Sequence, residues 1–122
     1  MTKARVRLGK AGEMLAAQEL VAAGYEIVTQ NYRCPAGELD LVTRHKGEWV
    51  FVEVRTRSSN TFGTPEDSIT PSKQQRLIQC AEYYLDEQDL GDVPWRIDVV
   101  AVEMKLNGEV ERFEIIPDAV GE

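Results

Sequence analysis

The sequence has few cysteines and histidines, the residues that most often form zinc sites and redox centres. Only two cysteines and one histidine occur among its 122 residues. Cys34 and Cys80 are widely separated, with no second pair and no histidine at ligand spacing, a pattern that argues against a zinc site and predicts reduced thiols. His45 lies beside a predicted turn, where we expect a solvated ring and not a catalytic one.

Long apolar runs are also missing. No stretch approaches the roughly 20 residues that span a bilayer, and the basic N-terminus has no apolar signal core behind it. We therefore expect a cytoplasmic protein without a membrane partner. The composition, 43% hydrophobic and 29% charged, is typical of a globular protein. The length predicts a single domain over residues 1–122.

The net charge of −7 is unevenly distributed along the chain. Residues 1–80 hold 11 Lys/Arg and 9 Asp/Glu, whereas residues 81–122 hold 3 and 12. Phosphate binding responds to the local potential, so a basic segment on an acidic protein can still contact nucleic acid. We predict a flexible basic arm over residues 1–8, and a solvated terminus without a partner is the alternative. Four basic residues fall within the first ten positions: Lys3, Arg5, Arg7 and Lys10.

Apolar periodicity and turn residues predict the element order α-β-β-β-α-β-β. Thr70 is a predicted helix cap, followed by Pro71 at the first helical position. Because the second helix separates two strands, those strands can pair in parallel, which predicts an α/β fold with a mixed sheet flanked by helices. The predicted helices cover 9–23 and 71 to about 86, the strands cover 25–32, 38–45, 48–55, 95–106 and 110–116, and a mobile flap covers 58–65.

The second and third strands place two carboxylates opposite each other. Lys46 and Gly47 form a two-residue hairpin turn, which fixes the strand register. Asp40 is then expected directly across from Glu53, with Cβ atoms roughly 4.5–5.5 Å apart. Like charges in this position destabilise a sheet, and a divalent cation between them removes the conflict. The hairpin therefore predicts a metal site.

The same register assigns the other residues of the hairpin to faces. Glu38 is expected opposite Arg55, on the face of Asp40 and Glu53. A solvent-facing charged ladder is the alternative, with a Glu38–Arg55 ion pair contributing at most about 1 kcal/mol. Two apolar residues on this face speak against full exposure. They are Val42 and Phe51, and the opposite, apolar face is predicted to hold Leu39, Leu41, Val52 and Val54.

Each predicted helix adds one charged side chain to this region. Glu13 precedes Leu20 by seven residues and is therefore expected on the same face of the first helix as the predicted buried stripe. Lys73 precedes Leu77 by four residues and shares the buried face of the second. A solvated glutamate and a surface lysine with a buried stem are the alternatives. The predicted stripe of the first helix consists of Met14, Ala17, Leu20 and Val21.

Two segments of the hairpin carry a resemblance to known proteins. Residues 37–41, GELDL, and 50–57, VFVEVRTR, resemble the active-site hairpin of the PD-(D/E)xK nuclease superfamily. Within it, the chain is similar to the small bacterial YraN-like family, which is similar to archaeal Holliday-junction resolvases. The resemblance covers nearly the whole chain and includes Gly12-Glu13, Asn31, Arg33, Phe62-Gly63, Lys73 and Arg96-Ile97-Asp98.

The resemblance implies a restriction-endonuclease-like fold and a DNA phosphodiesterase activity, with branched DNA among the expected substrates. Asp40, Glu53 and the Val54 carbonyl are expected to bind Mg²⁺, with Mn²⁺ as a substitute, and Glu13 to assist. Magnesium suits such a site because it takes oxygen ligands and retains several waters. DNA contacts are expected from Arg33, Arg55, Arg57, Lys73, Lys3, Arg5 and Arg7.

One position departs from the family motif, which ends in lysine where this chain has Arg55. An arginine stays protonated and cannot act as a base, although it can hold a phosphate. Lys73 is our candidate for the missing amine. Two alternatives stay open: a nucleic-acid-binding module without turnover, and a protein-interaction domain that uses the acidic C-terminal half. Cleavage of paired strands would suit a homodimer, for which no interface stripe is visible.

Overall fold

Two helices and five strands account for most of the described chain, residues 3–58 and 63–121 of a computed structural model. The predicted order of elements and the mixed α/β fold are confirmed, in agreement with a restriction-endonuclease-like architecture. A short 3₁₀ helix, Pro65–Ser68, was not predicted, and part of the predicted flap, residues 59–62 with Phe62, lies outside the described residues. The elements are α1 (Lys3–Ala22), β1 (Glu26–Cys34), β2 (Gly37–His45), β3 (Glu48–Ser58), α2 (Pro71–Glu87), β4 (Trp95–Met104) and β5 (Val110–Ile116).

The five strands form one mixed sheet in the order β1-β2-β3-β4-β5. Neighbouring strands are antiparallel except β3 and β4, which α2 connects as a parallel pair, as predicted. Thr70 caps α2 by accepting a hydrogen bond from the Lys73 amide, and Pro71 occupies the first turn. Among the described helices, none is both long and apolar enough to cross a membrane.

The two helices cover opposite faces of the sheet. Ala16 and Leu20 of α1 pack on one face, whereas Leu77 and Ala81 of α2 pack on the other. Both faces of β3 are therefore core, which explains its near-continuous apolar run. The α1 face of β3 consists of Val50, Val52 and Val54, and the α2 face includes Phe51.

The first helix differs from its prediction in both start and orientation. It begins at Lys3, so residues 3–8 are helical and do not form the predicted flexible arm. The predicted apolar stripe is wrong at two positions, because Met14 and Val21 are 66% and 57% exposed. The helix is instead anchored by Ala16 and Leu20, which are fully buried.

The predicted hairpin register is confirmed only over its outer part. Lys46 and Gly47 adopt positive φ angles of 49° and 80°, as a two-residue turn requires. Pairing then runs from His45 opposite Glu48 to Leu41 opposite Val52. Beyond that pair the strands separate, so the predicted cross-strand positions of Asp40 opposite Glu53 and Glu38 opposite Arg55 do not form.

A left-handed residue of β1 lies opposite the part of β2 where this separation begins. Asn31 lies between the residues that pair with Leu39 and Leu41, and its φ of 54° is left-handed. Asparagine tolerates this conformation better than most side-chain-bearing residues. Leu39 consequently packs on the α2 face while Leu41 packs on the α1 face. The prediction that both leucines share a face is therefore wrong.

Candidate active site

The gap between β2 and β3 is closed by a side chain in place of the sheet ladder. The Val54 amide donates a hydrogen bond to Asp40 Oδ2 at 2.7 Å. In a continued register this amide would have donated to the Leu39 carbonyl, because alternate residues of an antiparallel pair exchange both backbone hydrogen bonds. The Asp40 carboxylate therefore replaces a backbone acceptor and is held beside β3.

The same geometry gives the direction of the Val54 carbonyl. In an extended strand, the N–H and C=O of one residue point to the same side. Since the Val54 amide faces β2, its carbonyl oxygen faces the same gap. A backbone oxygen and the Asp40 carboxylate thus converge without any further side chain.

Glu53 is the second acid of the site. It projects from β3 toward α2, and only 3% of its surface is exposed. Burial, followed by the charge of Asp40 and a hydrogen bond with it, raises the Glu53 pKa to about 8. The Asp40 and Glu53 carboxyl groups are therefore close neighbours, as predicted, although they are not a ladder pair.

Two cations face Glu53 Oε2. Lys73 Nζ of α2 lies 3.3 Å away, and Arg55 Nε of β3 lies 3.6 Å away. Both side chains are about one-third exposed, so each contacts Glu53 while part of its surface reaches solvent. Arg55 also donates to the Ser68 carbonyl at 3.4 Å, which connects the site to the 3₁₀ helix.

Glu13 reaches the site because α1 approaches β3 closely. A Cβ atom at Gly12 would meet Thr56 Oγ1 at 1.9 Å, so only glycine permits this packing. Glu13 follows directly and is exposed. Partial burial, and then the charges of Asp40 and Glu38, raise its pKa. The three acids from α1 and β2 therefore share one electrostatic environment.

An open cleft of about 1050 Å³ contains all of these groups. Its lining also includes Lys10, one of the basic residues near the N-terminus, and two residues that we did not predict. Ser68 and Leu106 come from the 3₁₀ helix and the β4–β5 turn, and no local sequence pattern indicates them. The cleft brings together the predicted residues Glu13, Asp40, Glu53, Val54, Arg55, Arg57, Lys73 and Arg5.

Three predicted DNA-contacting residues do not line this cleft. Lys3 and Arg7 are exposed on the first turns of α1. Arg33 is exposed on β1, where its Nε lies 3.5 Å from Glu38 Oε2. Glu38 therefore pairs with Arg33. The alternative of a solvent-facing charged ladder required it to pair with Arg55. These positions flank the site without being part of it.

The donor set fits a hard cation. Within the described ranges no three His, Cys, Asp or Glu side chains converge as a complete metal cage. Asp40, Glu53 and the Val54 carbonyl nevertheless offer three oxygen ligands of the type that Mg²⁺ accepts, and the open cleft leaves room for waters. A bound cation would also relieve the repulsion that raises the Glu53 pKa.

Comparison with known proteins places the chain in a family. The model of "Uncharacterised protein family UPF0102" matches residues 12–102. The chain belongs to the UPF0102 family. This match confirms the predicted YraN-like family. It runs from the second half of α1 into β4 and includes each acid and cation of the cleft from Gly12 to Lys73.

The similarity to individual UPF0102 proteins extends over nearly the full length. A relative from Roseiflexus castenholzii is 47% identical and covers 100% of this chain and 99% of its own. A relative from Moorella thermoacetica is also 47% identical, with 98% and 99% covered. One from Hahella chejuensis is 44% identical, with 93% and 90% covered. The whole domain, and not only the hairpin, is thus shared with other UPF0102 proteins.

Proposed function

We propose that this UPF0102 protein is a Mg²⁺-dependent endonuclease that hydrolyses DNA phosphodiester bonds. The observation that carries the proposal is that Asp40, Glu53 and Val54 line one cleft, with Asp40 bound to the Val54 amide and Glu53 beside Asp40. Two acids that repel each other beside two cations are typical of a site built for a charged ligand. The membership of the PD-(D/E)xK superfamily is part of this proposal.

The residues of the cleft divide into those that would hold a cation and those that would hold DNA. Asp40, Glu53 and the Val54 carbonyl would be the cation ligands, and Glu13, which lines the same cleft, would assist through a bound water. When bound, Mg²⁺ would supply an activated water and stabilise negative charge on the phosphate. The nucleic-acid side would use Arg5, Lys10, Arg55, Arg57 and Lys73.

Lys73 is the residue that we propose in the role of the missing motif lysine. Its ammonium contacts Glu53 from α2, and Lys73 lines the cleft. A lysine can change protonation on burial, whereas Arg55 stays charged. We therefore assign orientation of the attacking water and its proton to Lys73, and contact with the scissile phosphate to Arg55.

The second candidate is a DNA-binding module without turnover. The observation that favours it is the direct contact of both Lys73 and Arg55 with Glu53, which offsets part of the charge of that acid without a metal. In that case the cleft cations would bind phosphates, and cleavage would be absent in any divalent metal.

A cleavage assay on linear, nicked and four-way DNA separates the two candidates. With Mg²⁺ or Mn²⁺ we expect the native chain to cleave at least one substrate. Asp40→Asn and Glu53→Gln should reduce the rate by about 100-fold or more, since each removes a metal ligand. Lys73→Ala should reduce it by about 10-fold or more, as expected on loss of a proton-transfer group.

Arg76→Ala is the matched control, because Arg76 is an exposed cation on α2 one turn beyond Lys73. Its rate should stay within about twofold of the native rate. Full activity of Lys73→Ala would disprove the role proposed for Lys73, and the rest of the nuclease proposal would stand. Binding that persists with a chelator, without cleavage in either metal, would replace the nuclease by the binding module. Absence of DNA binding at low salt would leave the acidic protein-interaction domain.

A further inference from the structure

The two cysteines, which are 46 positions apart in sequence, meet in the folded chain. Cys34 Sγ, at the end of β1, lies 3.3 Å from Cys80 Sγ on α2. Both are free thiols, with Cys80 buried and Cys34 partly exposed. The contact belongs to the core between the sheet and α2, on the side that carries Glu53.

We propose that Cys34 and Cys80 are a site of oxidative modification that forms an intramolecular disulfide with a peroxide as oxidant. The sulfur atoms need to approach by roughly 1.3 Å to reach the disulfide bond length of about 2.05 Å. Side-chain rotation and a small shift of the β1–β2 turn can supply this movement. The reduced pair predicted from the sequence is the starting state, since disulfides in a reducing compartment form transiently on oxidation.

The exposures of the two thiols give the order of the reaction. Cys34, as a thiolate, attacks one oxygen of hydrogen peroxide, the O–O bond breaks, and a sulfenic acid forms while hydroxide leaves and is protonated to water. The Cys80 sulfur then attacks the Cys34 sulfur, loses its proton and displaces a second water. Two thiols are oxidised by the loss of two hydrogen atoms, and one peroxide is reduced to two waters.

The environment of Cys80 supports its role as the second, resolving thiol. Burial, and then its hydrogen bond with Cys34, raises the Cys80 pKa to about 12. A buried thiol of high pKa is a poor first nucleophile toward a soluble oxidant. It is nonetheless held against the sulfenic sulfur, where no diffusion is needed.

The disulfide would join α2 to the end of β1, next to the turn that leads into β2. Cys34 immediately precedes the turn into β2, which supplies Asp40, and Cys80 lies on α2, which supplies Lys73. A link across these elements constrains the unfolded chain and therefore stabilises the fold. It also limits the movement of α2 relative to the start of β2. This modification is independent of the proposed nuclease function.

Mass spectrometry of the full chain tests the proposal. After stoichiometric hydrogen peroxide, blocking of free thiols and trypsin digestion without reductant, we expect a linked pair of peptides, 34–44 and 77–96. Dithiothreitol should separate them. The oxidised chain should also unfold several degrees above the reduced chain.

Single variants serve as controls that do not depend on DNA cleavage. Cys80→Ala removes the resolving thiol, so one equivalent of peroxide should leave Cys34 as sulfenic acid and a second equivalent should carry it to sulfinic acid. Cys34→Ser should leave Cys80 unmodified and the unfolding temperature unchanged by peroxide. A native chain whose Cys34 becomes sulfinic acid as fast as in Cys80→Ala, with no linked peptides, would overturn the proposal. Linkage only between two chains would also overturn it.

Discussion

Asp98 and Glu53 are both buried carboxylates, on neighbouring strands but on opposite faces of the sheet. Asp98 has no exposed surface and accepts hydrogen bonds from three groups. Tyr25 Oη donates at 2.7 Å, Arg96 Nε at 2.9 Å and the Asp118 amide at 2.9 Å. Both oxygens of this buried carboxylate therefore accept hydrogen bonds from the protein, as stable folds require.

Glu53 has a different set of neighbours. Its carboxylate lies beside another acid, Asp40. Its two cations lie at 3.3 and 3.6 Å, farther than the 2.9 Å that separates Arg96 from Asp98. Its pKa is raised to about 8 as a result, first by burial and then by Asp40. One buried acid is thus satisfied by the fold, whereas the other is left to be satisfied by a proton or a ligand. The contrast separates structural acids from candidate functional ones.

Removal of Arg96 should have the largest effect on stability. Arg96 joins Asp98 to Glu48, at 2.9 and 2.8 Å. Arg96→Met would leave Asp98 buried without its charge partner, and the expected loss is about 3–5 kcal/mol in the free energy of unfolding, measured with urea. Lys105→Met, which breaks exposed ion pairs, should change it by at most about 1 kcal/mol. Equal losses in both variants would remove the distinction between the two kinds of pair.

The pH dependence of stability should reveal the strained acid. The folded-state pKa of Glu53 is raised from 4.5 to about 8, so the folded chain holds a proton that the unfolded chain releases. The contribution of this proton to the free energy of unfolding is therefore fully present below about pH 4.5 and is lost as the pH rises toward about 8. Urea unfolding between these values should show the decline.

Glu53→Gln is the control for that decline, because the amide resembles the protonated acid. We expect this variant to be at least as stable as the native chain at pH 8 and to have a flatter pH profile over the same range. Added Mg²⁺ should raise the unfolding temperature of the native chain and not of the variant. A pH profile unchanged by Glu53→Gln would show that Asp40 and Glu53 are not in conflict.

A smaller effect is expected where α1 contacts β3. Gly12→Ala would place a methyl group against Thr56, with an expected cost of about 1–3 kcal/mol in urea unfolding. Gly9→Ala lies on the same helix with nothing within 4 Å of the added Cβ, and it should stabilise by about 0.5–1 kcal/mol. The same sign in both variants would contradict the close approach that brings Glu13 to the cleft.

The sequence was sufficient where short-range chemistry determines the structure. The Lys46-Gly47 turn fixed the outer register of the hairpin, and Thr70 with Pro71 fixed the start of α2. Because the start of α2 was predicted correctly, the helical period predicted that Lys73 points toward the acidic pair. In the fold its ammonium lies 3.3 Å from Glu53. Local rules of this kind depend on few residues at once.

Other features depend on packing between distant segments and could not be predicted in this way. β2 leaves the predicted pairing with β3 beyond Leu41, opposite the part of β1 that contains the left-handed Asn31. The buried face of α1 depends on its close contact with Thr56, which only Gly12 permits, and so Met14 and Val21 were assigned wrongly. A one-strand pattern contains no information on the conformation of the strand beside it.

The hydrogen bond between Asp40 and the Val54 amide has a consequence for how the chain can vary. The donor is main chain, so every amino acid except proline can provide it at position 54. The Val54 side chain is free to serve the apolar core beneath α1. Packing and carboxylate placement are thereby uncoupled at one residue, and a change such as valine to isoleucine there leaves the anchor of Asp40 intact.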